Sequence, residues 1–278
     1  MLDVPEGQVN LAGGNLLHRR VDLSIDTLFG SLDVGPVYNS ATGQWQWPFE
    51  MSYDGQNFLD DSGAVHDLSL LADGDAIPGT HWVKLDAQRV KTKGGLVHHF
   101  NADSHRLLAI TGVDGVRPAL VFFGEVAATG GVRTKAVSQC RGSNVCRLVY
   151  NVSYDEEGCV DGIRDRAGRR AVFQNQANCR PEVARDGLDL AQGWPGRRYE
   201  YAGGLLTSVT NSEGERVEYA YQDGRLVAVA QAGGEGPLFE FHYGFEPGAE
   251  LFFSVVQDAR GGISVYRYDE SQRLHEWR

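Results

Sequence analysis

The stretches Tyr199-Glu-Tyr201-Ala-Gly-Gly-Leu-Leu206-Thr-Ser-Val209 and Tyr219-Ala-Tyr221-Gln-Asp-Gly-Arg-Leu226-Val-Ala-Val229 are two copies of one pattern. Each has an aromatic pair two apart, a glycine, a leucine and then a valine at matching distances. The following half repeats as well. Val209 leads to Asn211, Gly214 and Tyr219; Val229 to Gln231, Gly234 and Phe239; Val256 to Asp258, Gly261 and Tyr266; Ile163 to Asp165, Gly168 and Phe173. Self-similarity at a fixed period marks a repeat architecture, in which no unit buries its own apolar face and stacked neighbours do so together.

The unit is readable as strand, turn, strand, turn. Side chains alternate along a strand, so Tyr199 and Tyr201 share a face, as do Val217, Tyr219 and Tyr221, then Phe239, Phe241 and Tyr243, then Tyr266 and Tyr268. The glycine after each pair suits a hairpin turn, most clearly at Asp223-Gly224. Asn211 to Gly214, Asp165 to Gly168 and Asp258 to Gly261 read as turns opened by a side chain that bonds its own backbone. The expectation is an all-β fold of about six such units, a curved or spiralling sheet of short antiparallel strands. Tyr201, Tyr221, Tyr243 and Tyr268 hold equivalent positions, so they are expected to line one continuous surface.

The pattern Tyr-Asp-x-x-Gly-Arg-Leu, followed by an Asp-x-x-Gly turn and an aromatic pair, resembles the YD repeat of RHS, Tc-toxin and teneurin-like proteins. It stands here as Tyr154-Asp155-Glu-Glu-Gly158, Gln222-Asp223-Gly224-Arg225-Leu226 and Tyr268-Asp269-Glu-Ser-Gln272-Arg273-Leu274. A looser copy runs from Phe100 through Arg106, Leu107, Ile110 and Gly115, and another from Tyr53-Asp54 through Phe58, Asp60 and Gly63. Val9-Asn-Leu-Ala-Gly-Gly14-Asn15-Leu, followed by Asp22-Leu-Ser-Ile25, resembles that family's shell-opening segment. The family's autoproteolytic core and variable toxin module have no counterpart, and its full shells need many more repeats.

On this reading residues 1–50 are a shell-opening segment and 51–180 hold degenerate repeats. Residues 181–198 form an inserted loop or short helix, with Pro181 suited to a helical first turn, and 199–278 are clear repeats. Gln272 replaces the turn glycine, and Glu246-Pro247-Gly248 is inserted after Tyr243. Leu274 matches Leu206 and Leu226, which puts Trp277 where Val209 and Val229 stand. The repeat therefore stops in mid-unit. Its last strand is expected to be covered by further repeats, another copy or a partner strand.

Cys140, Cys146, Cys159 and Cys179 all lie in the central stretch. They fit two disulfides, Cys140–Cys146 and Cys159–Cys179, although buried free thiols are the alternative. The closely paired spacing of a zinc site is absent. Disulfides place the chain in an oxidising compartment, extracellular or at the cell surface. The opening residues show no signal peptide, so the leader is removed, export takes another route, or this is a piece of a longer chain. A net charge of −11 disfavours nucleic acid and anionic lipid as partners. No apolar run is long enough for a transmembrane helix.

Chemistry is sparse. Asp73-Gly-Asp75 opens like a calcium loop but lacks the later ligands, and reads as an acidic turn. Adjacent His98 and His99, with His105 nearby, face opposite sides of a strand, which argues against one shared metal site. Trp45 and Trp47 share a face that suits core packing first, with a sugar-stacking platform as the lesser alternative. No catalytic residue, cofactor site or metal site is assigned. The resemblance implies a non-catalytic wall segment that encloses a polypeptide, commonly a toxin, or makes extracellular contacts. Its partners would be other repeat segments, a further copy or an enclosed polypeptide. A glycan- or protein-binding module is the second reading and a glycan hydrolase the third.

Overall fold

The structure, a computed structural model, describes residues 1–27, 30–112, 119–127, 131–141, 145–270 and 272–278. It is all-β and antiparallel. Besides strands, the described residues form only the helix Gly187–Gln192 and the single turns Pro48–Glu50 and Ala177–Cys179. They divide into two compact units: residues 1–19, 38–44 and 195–278 make one, and residues 20–37 and 45–194 the other.

In the first unit the repeats are four successive hairpins. The first pairs Arg197–Ala202 with Leu205–Thr210, and the second Arg216–Gln222 with Arg225–Gln231. The third pairs Pro237–Glu246 with Leu251–Asp258, and the fourth Ile263–Tyr268 with Leu274–Trp277. The ladder follows the sequence equivalences. Tyr199 faces Val209 and Tyr201 faces Leu206, with a one-residue slip between them. Tyr219 and Tyr221 face Val229 and Leu226 with the same slip, and Tyr266 and Tyr268 face Trp277 and Leu274. Each slip is a bulge, present both where four residues separate the second aromatic from the leucine and where five do. Asp223 and Gly224 both take positive φ, 52° and 77°, as a two-residue hairpin turn demands.

The third hairpin departs from this ladder. Tyr243 faces Ser254, pairing continues without a slip to Glu246 and Leu251, and the inserted residues lengthen the hairpin. Phe239 corrects one expected equivalence, because it faces Val229 directly, whereas Val209 faces Val217. Phe239 thus stands where Val217 does, and Phe241 takes the place of Tyr219. The register shifts between Val229 and Ala230, so the path from Val229 to Phe239 is two residues longer than that from Val209 to Val217.

That turn is built alike in both units, at Asp60, Asp155, Asp165, Asn211, Asp258 and Asp269. In each, the fifth residue donates its N–H to the side-chain Oδ1 of the first, at 2.8 to 3.1 Å. The fourth residue donates to the first carbonyl, and the first N–H returns to the fifth carbonyl. The fourth residue has positive φ: 76° at Gly63, 87° at Gly158, 86° at Gly168, 90° at Gly214 and 80° at Gly261. Gln272 holds the same conformation at 60°, with a side chain that disfavours it.

The second unit carries ten strands in chain order among its described residues, from Trp82–Asp86 to Arg180–Arg185. The degenerate repeats keep the ladder. His98 faces Ile110 and Phe100 faces Leu107, with the slip between His99 and Phe100. Val152 faces Ile163 and Tyr154 faces Val160, again with a slip. Gly115 lies outside the described residues. Pro181 is in a strand opposite Asn175, not in a helical first turn. The short helix starts later, where the Asp186 carboxylate accepts from the N–H groups of Leu188 and Asp189. One aromatic cluster of this unit joins Tyr53, Phe58, Trp82 and Phe100; another joins Trp47, Phe49, Tyr150 and Phe173.

Candidate functional site

The first three hairpins of the first unit pair with one another at one end only, whereas the third and fourth pair over six residues, from Phe252 with Tyr268 to Gln257 with Ile263. The first and second are joined by three residue pairs, Ser208 with Glu218 through Thr210 with Arg216, and part beyond them. The second and third are joined at Ala228, Val229 and Ala230 only. Each parting leaves backbone groups at the leucine position without ladder partners, and a buried peptide group needs a substitute. In the first unit the N-terminal segment supplies it. Leu206 N–H donates to the Tyr38 hydroxyl at 2.9 Å, and Leu226 N–H to the Gly14 carbonyl at 2.8 Å. Ser254 Oγ donates to the Leu11 carbonyl, and Tyr219 Oη to the carbonyls of Pro5 and Glu6.

The tyrosine stripe works at these partings. Tyr243 Oη donates to the Leu226 carbonyl at 2.8 Å, closing the parting that Gly14 enters. Tyr154 does the same in the second unit, donating to the Thr134 carbonyl at 2.6 Å. The Tyr221 hydroxyl is buried and has no partner. Burial holds the hydroxyls of Tyr221, Tyr243 and Tyr154 far above the ordinary tyrosine range. Tyr268 is pushed up to about 12, by burial first and then by Tyr266 beside it. The stripe is therefore neutral at physiological pH and acts by packing and hydrogen bonding. Tyr201, Tyr221 and Tyr243 are half-buried and Tyr268 is buried.

Two further partings of the second unit are closed by other means. Leu107 N–H donates to the Met51 carbonyl at 3.1 Å. Where Val160–Asp165 parts from Arg170–Gln176, Asn175 Nδ2 donates to the Val160 carbonyl at 3.0 Å. Pro181 has no N–H to satisfy. All four cysteines are bonded, Cys140 to Cys146 and Cys159 to Cys179. The first bond joins directly opposite residues of one ladder; residues 142–144 of its turn lie outside the described residues.

The sugar platform is corrected. Trp47 is 7% exposed, stacked on Phe49 at 5.4 Å and edge-on to Phe173 at 5.0 Å, so Trp45 has no exposed indole beside it to share a ligand. Strand alternation told which way Trp47 points but not what covers that face. One exposed aromatic pair lies elsewhere, at Phe245 and Phe252, whose rings meet at 5.0 Å on the strands that flank the insertion of the third hairpin.

The remaining polar candidates are structural. Asp75 accepts from the Ala72 N–H, and the loop closes on the buried Lys84 ammonium, which donates to the carbonyls of Leu68 and Leu71. His98 is buried against Trp82, whereas His99 reaches the Thr111 hydroxyl at 2.9 Å. Among the described residues no three His, Cys, Asp or Glu side chains converge as metal ligands do. A cleft of about 630 Å³ beside the short helix contains Asp22 and Asp186, but Asp22 pairs with Arg20 and Asp186 caps the helix. Neither is an acid–base pair for glycoside chemistry. Among the described residues no helix is long and apolar enough to cross a membrane.

No family model and no curated protein matches the sequence. Solved structures do. A crystal structure of TcdB2-TccC3 is similar at TM-score 0.40 and 12% identity, over 94% of this chain and 15% of that chain. One of TcdB2-TccC3-TEV is similar at TM-score 0.36 and 13% identity, over 94% and 14%. The chain thus spans about a seventh of the length of these structures.

Proposed function

We propose that this chain is a non-catalytic wall segment whose aromatic face holds extended polypeptide. One observation carries the reading: in the first unit the hairpins already hold another segment, residues 5–14, at the turns on either side of the strand Gly7–Asn10. That segment is held through main-chain carbonyls, at Pro5, Glu6, Leu11 and Gly14, by hydroxyls and N–H groups of the hairpins. Recognition of main-chain groups is independent of sequence, which suits a wall that accepts varied polypeptide. The partners proposed are an enclosed polypeptide, other repeat segments or a further copy, and the setting proposed is extracellular, where both cystines persist.

The test uses a fluorescently labelled, carboxymethylated α-lactalbumin as an unfolded probe. Anisotropy should report binding at micromolar concentration, and Phe245→Asp with Phe252→Asp should weaken it by about tenfold or more. No binding at high micromolar protein, with the fold intact, would contradict the reading.

A further inference from the structure

We propose that the Cys159–Cys179 cystine is a redox latch that holds one hairpin junction of the second unit shut and opens it on reduction. This inference rests on the junction's own geometry and stands apart from the wall reading.

The two cystines occupy unlike places. Cys140 and Cys146 face one another in a ladder that continues on one side through Gln139, Ser138, Val137 and Ala136 and their partners. Its hydrogen bonds hold the strands together whether or not the sulfurs are joined. Cys159 and Cys179 lie at two different turns, one before Val160–Asp165 and one after Arg170–Gln176. Those strands pair only at Gly162 with Val172, Ile163 with Ala171 and Arg164 with Arg170. Beyond Gly162 the link consists of the Asn175 amide, which reaches the Val160 carbonyl and Asp155 Oδ2, and the cystine. No aromatic hydroxyl closes this parting, because Asn175 stands where Tyr154 and Tyr243 stand in theirs.

The turn at Cys179 is also held in an unfavourable form. Asn178 and Cys179 are consecutive residues at positive φ, 65° and 55°. The tips of the first two hairpins in the other unit meet the same demand with Gly203 and Gly204, and with Asp223 and Gly224. A cysteine at such a position gains conformational freedom when its cross-link is cut. Cys159 is buried and Cys179 exposed, so a reductant meets Cys179 first.

The chemistry balances with a dithiol as reductant. Its thiolate attacks Cys179 Sγ, the S–S bond breaks, and Cys159 leaves as a thiolate that takes a proton from solvent. The second thiol of the reductant then displaces Cys179, which is protonated in turn. Two electrons pass to the protein, and the reductant ends as its own disulfide. The junction is therefore closed in an oxidising compartment and opens where dithiols prevail.

Dithiothreitol titration of the whole chain, followed by amide hydrogen exchange and thiol alkylation, tests this. Reduction of Cys159–Cys179 should raise exchange by about tenfold or more in residues 155–162 and 174–181. Residues 197–231, and the ladder around Cys140 and Cys146, should stay protected. The double variant Cys159→Ser with Cys179→Ser should reproduce the open junction without reductant, and Cys140→Ser with Cys146→Ser should not. Pairing Cys159→Ala with Cys179→Gly, which relieves the turn, serves if the serine variant does not fold. Unchanged exchange at the junction after full alkylation of Cys159 and Cys179 would overturn the latch, as would loss of protection throughout the chain.

Discussion

Two hairpin junctions, one in each unit, show how one ladder is closed in two ways. Where the second hairpin of the first unit meets the third, the parted strands are bridged by the Gly14 carbonyl and the Tyr243 hydroxyl. Where Val160–Asp165 meets Arg170–Gln176, an asparagine amide and a cystine do it. Both junctions keep three paired residues and then part. The ladder is thus a local property that each repeat encodes for itself. The closure is non-local, supplied by whatever segment or side chain the rest of the unit brings to the gap.

The largest expected effect breaks the first closure. A Cβ at Gly14 would stand 2.9 Å from Arg225 Cβ and 3.0 Å from Tyr243 Cζ, at a φ of +72°. Gly14→Val should therefore cost about 3 kcal/mol or more in urea unfolding, by overpacking and backbone strain together. A loss below about 1 kcal/mol, typical of exposed sites, would mean the segment is not clamped there.

Acid should sharpen the contrast from the other side. Burial lowers the pKa of His98, in the second unit, from 6.5 to about 3. Above pH 6.5 the ring is neutral folded or unfolded and adds no pH dependence. Between 6.5 and 3 the unfolded chain takes a proton that the folded one refuses, so stability falls with pH by up to about 1.4 kcal/mol per unit. Urea midpoints at pH 7 and pH 4.5 should show this limb, and His98→Phe should remove its share of it.

A smaller gain is expected at Gln272. Gln272→Gly relieves the positive φ in an otherwise unchanged turn and should add about 0.5–1 kcal/mol. No gain in thermal unfolding would mean that the turn does not hold this conformation in solution.

How much was legible follows from the same division. The pairing of Tyr201 with Leu206, Tyr221 with Leu226 and Tyr268 with Leu274 was readable, because spacing within one hairpin fixes it. The turns at Asn211, Asp165 and Asp258 were readable because a short side chain and a glycine three residues on make them locally. Phe239 was misplaced because an equal count of residues concealed the register shift between Val229 and Ala230. What covers Trp47 was not legible, because the rings that do so, Phe49 and Phe173, come from a following turn and a distant strand. The docking of residues 5–14 on the hairpins was not legible, since Gly14 and Leu226 meet across most of the chain. One clue was present: Gly14 sits in a segment picked out by resemblance alone, and its need for a glycine is explained by the side chains it touches.

The central claim is that the Tyr243 hydroxyl closes the parting between the second and third hairpins, and Tyr243 and Tyr221 test it most directly. Tyr243 Oη bonds the Leu226 carbonyl, whereas the Tyr221 hydroxyl is buried with no partner. Urea unfolding of Tyr243→Phe and Tyr221→Phe at pH 7 isolates the hydroxyl in each. Tyr243→Phe should lose about 1–2 kcal/mol, since it strands a carbonyl, and Tyr221→Phe should lose nothing or gain slightly. Equal losses in the two variants, or a larger loss at Tyr221, would contradict the account.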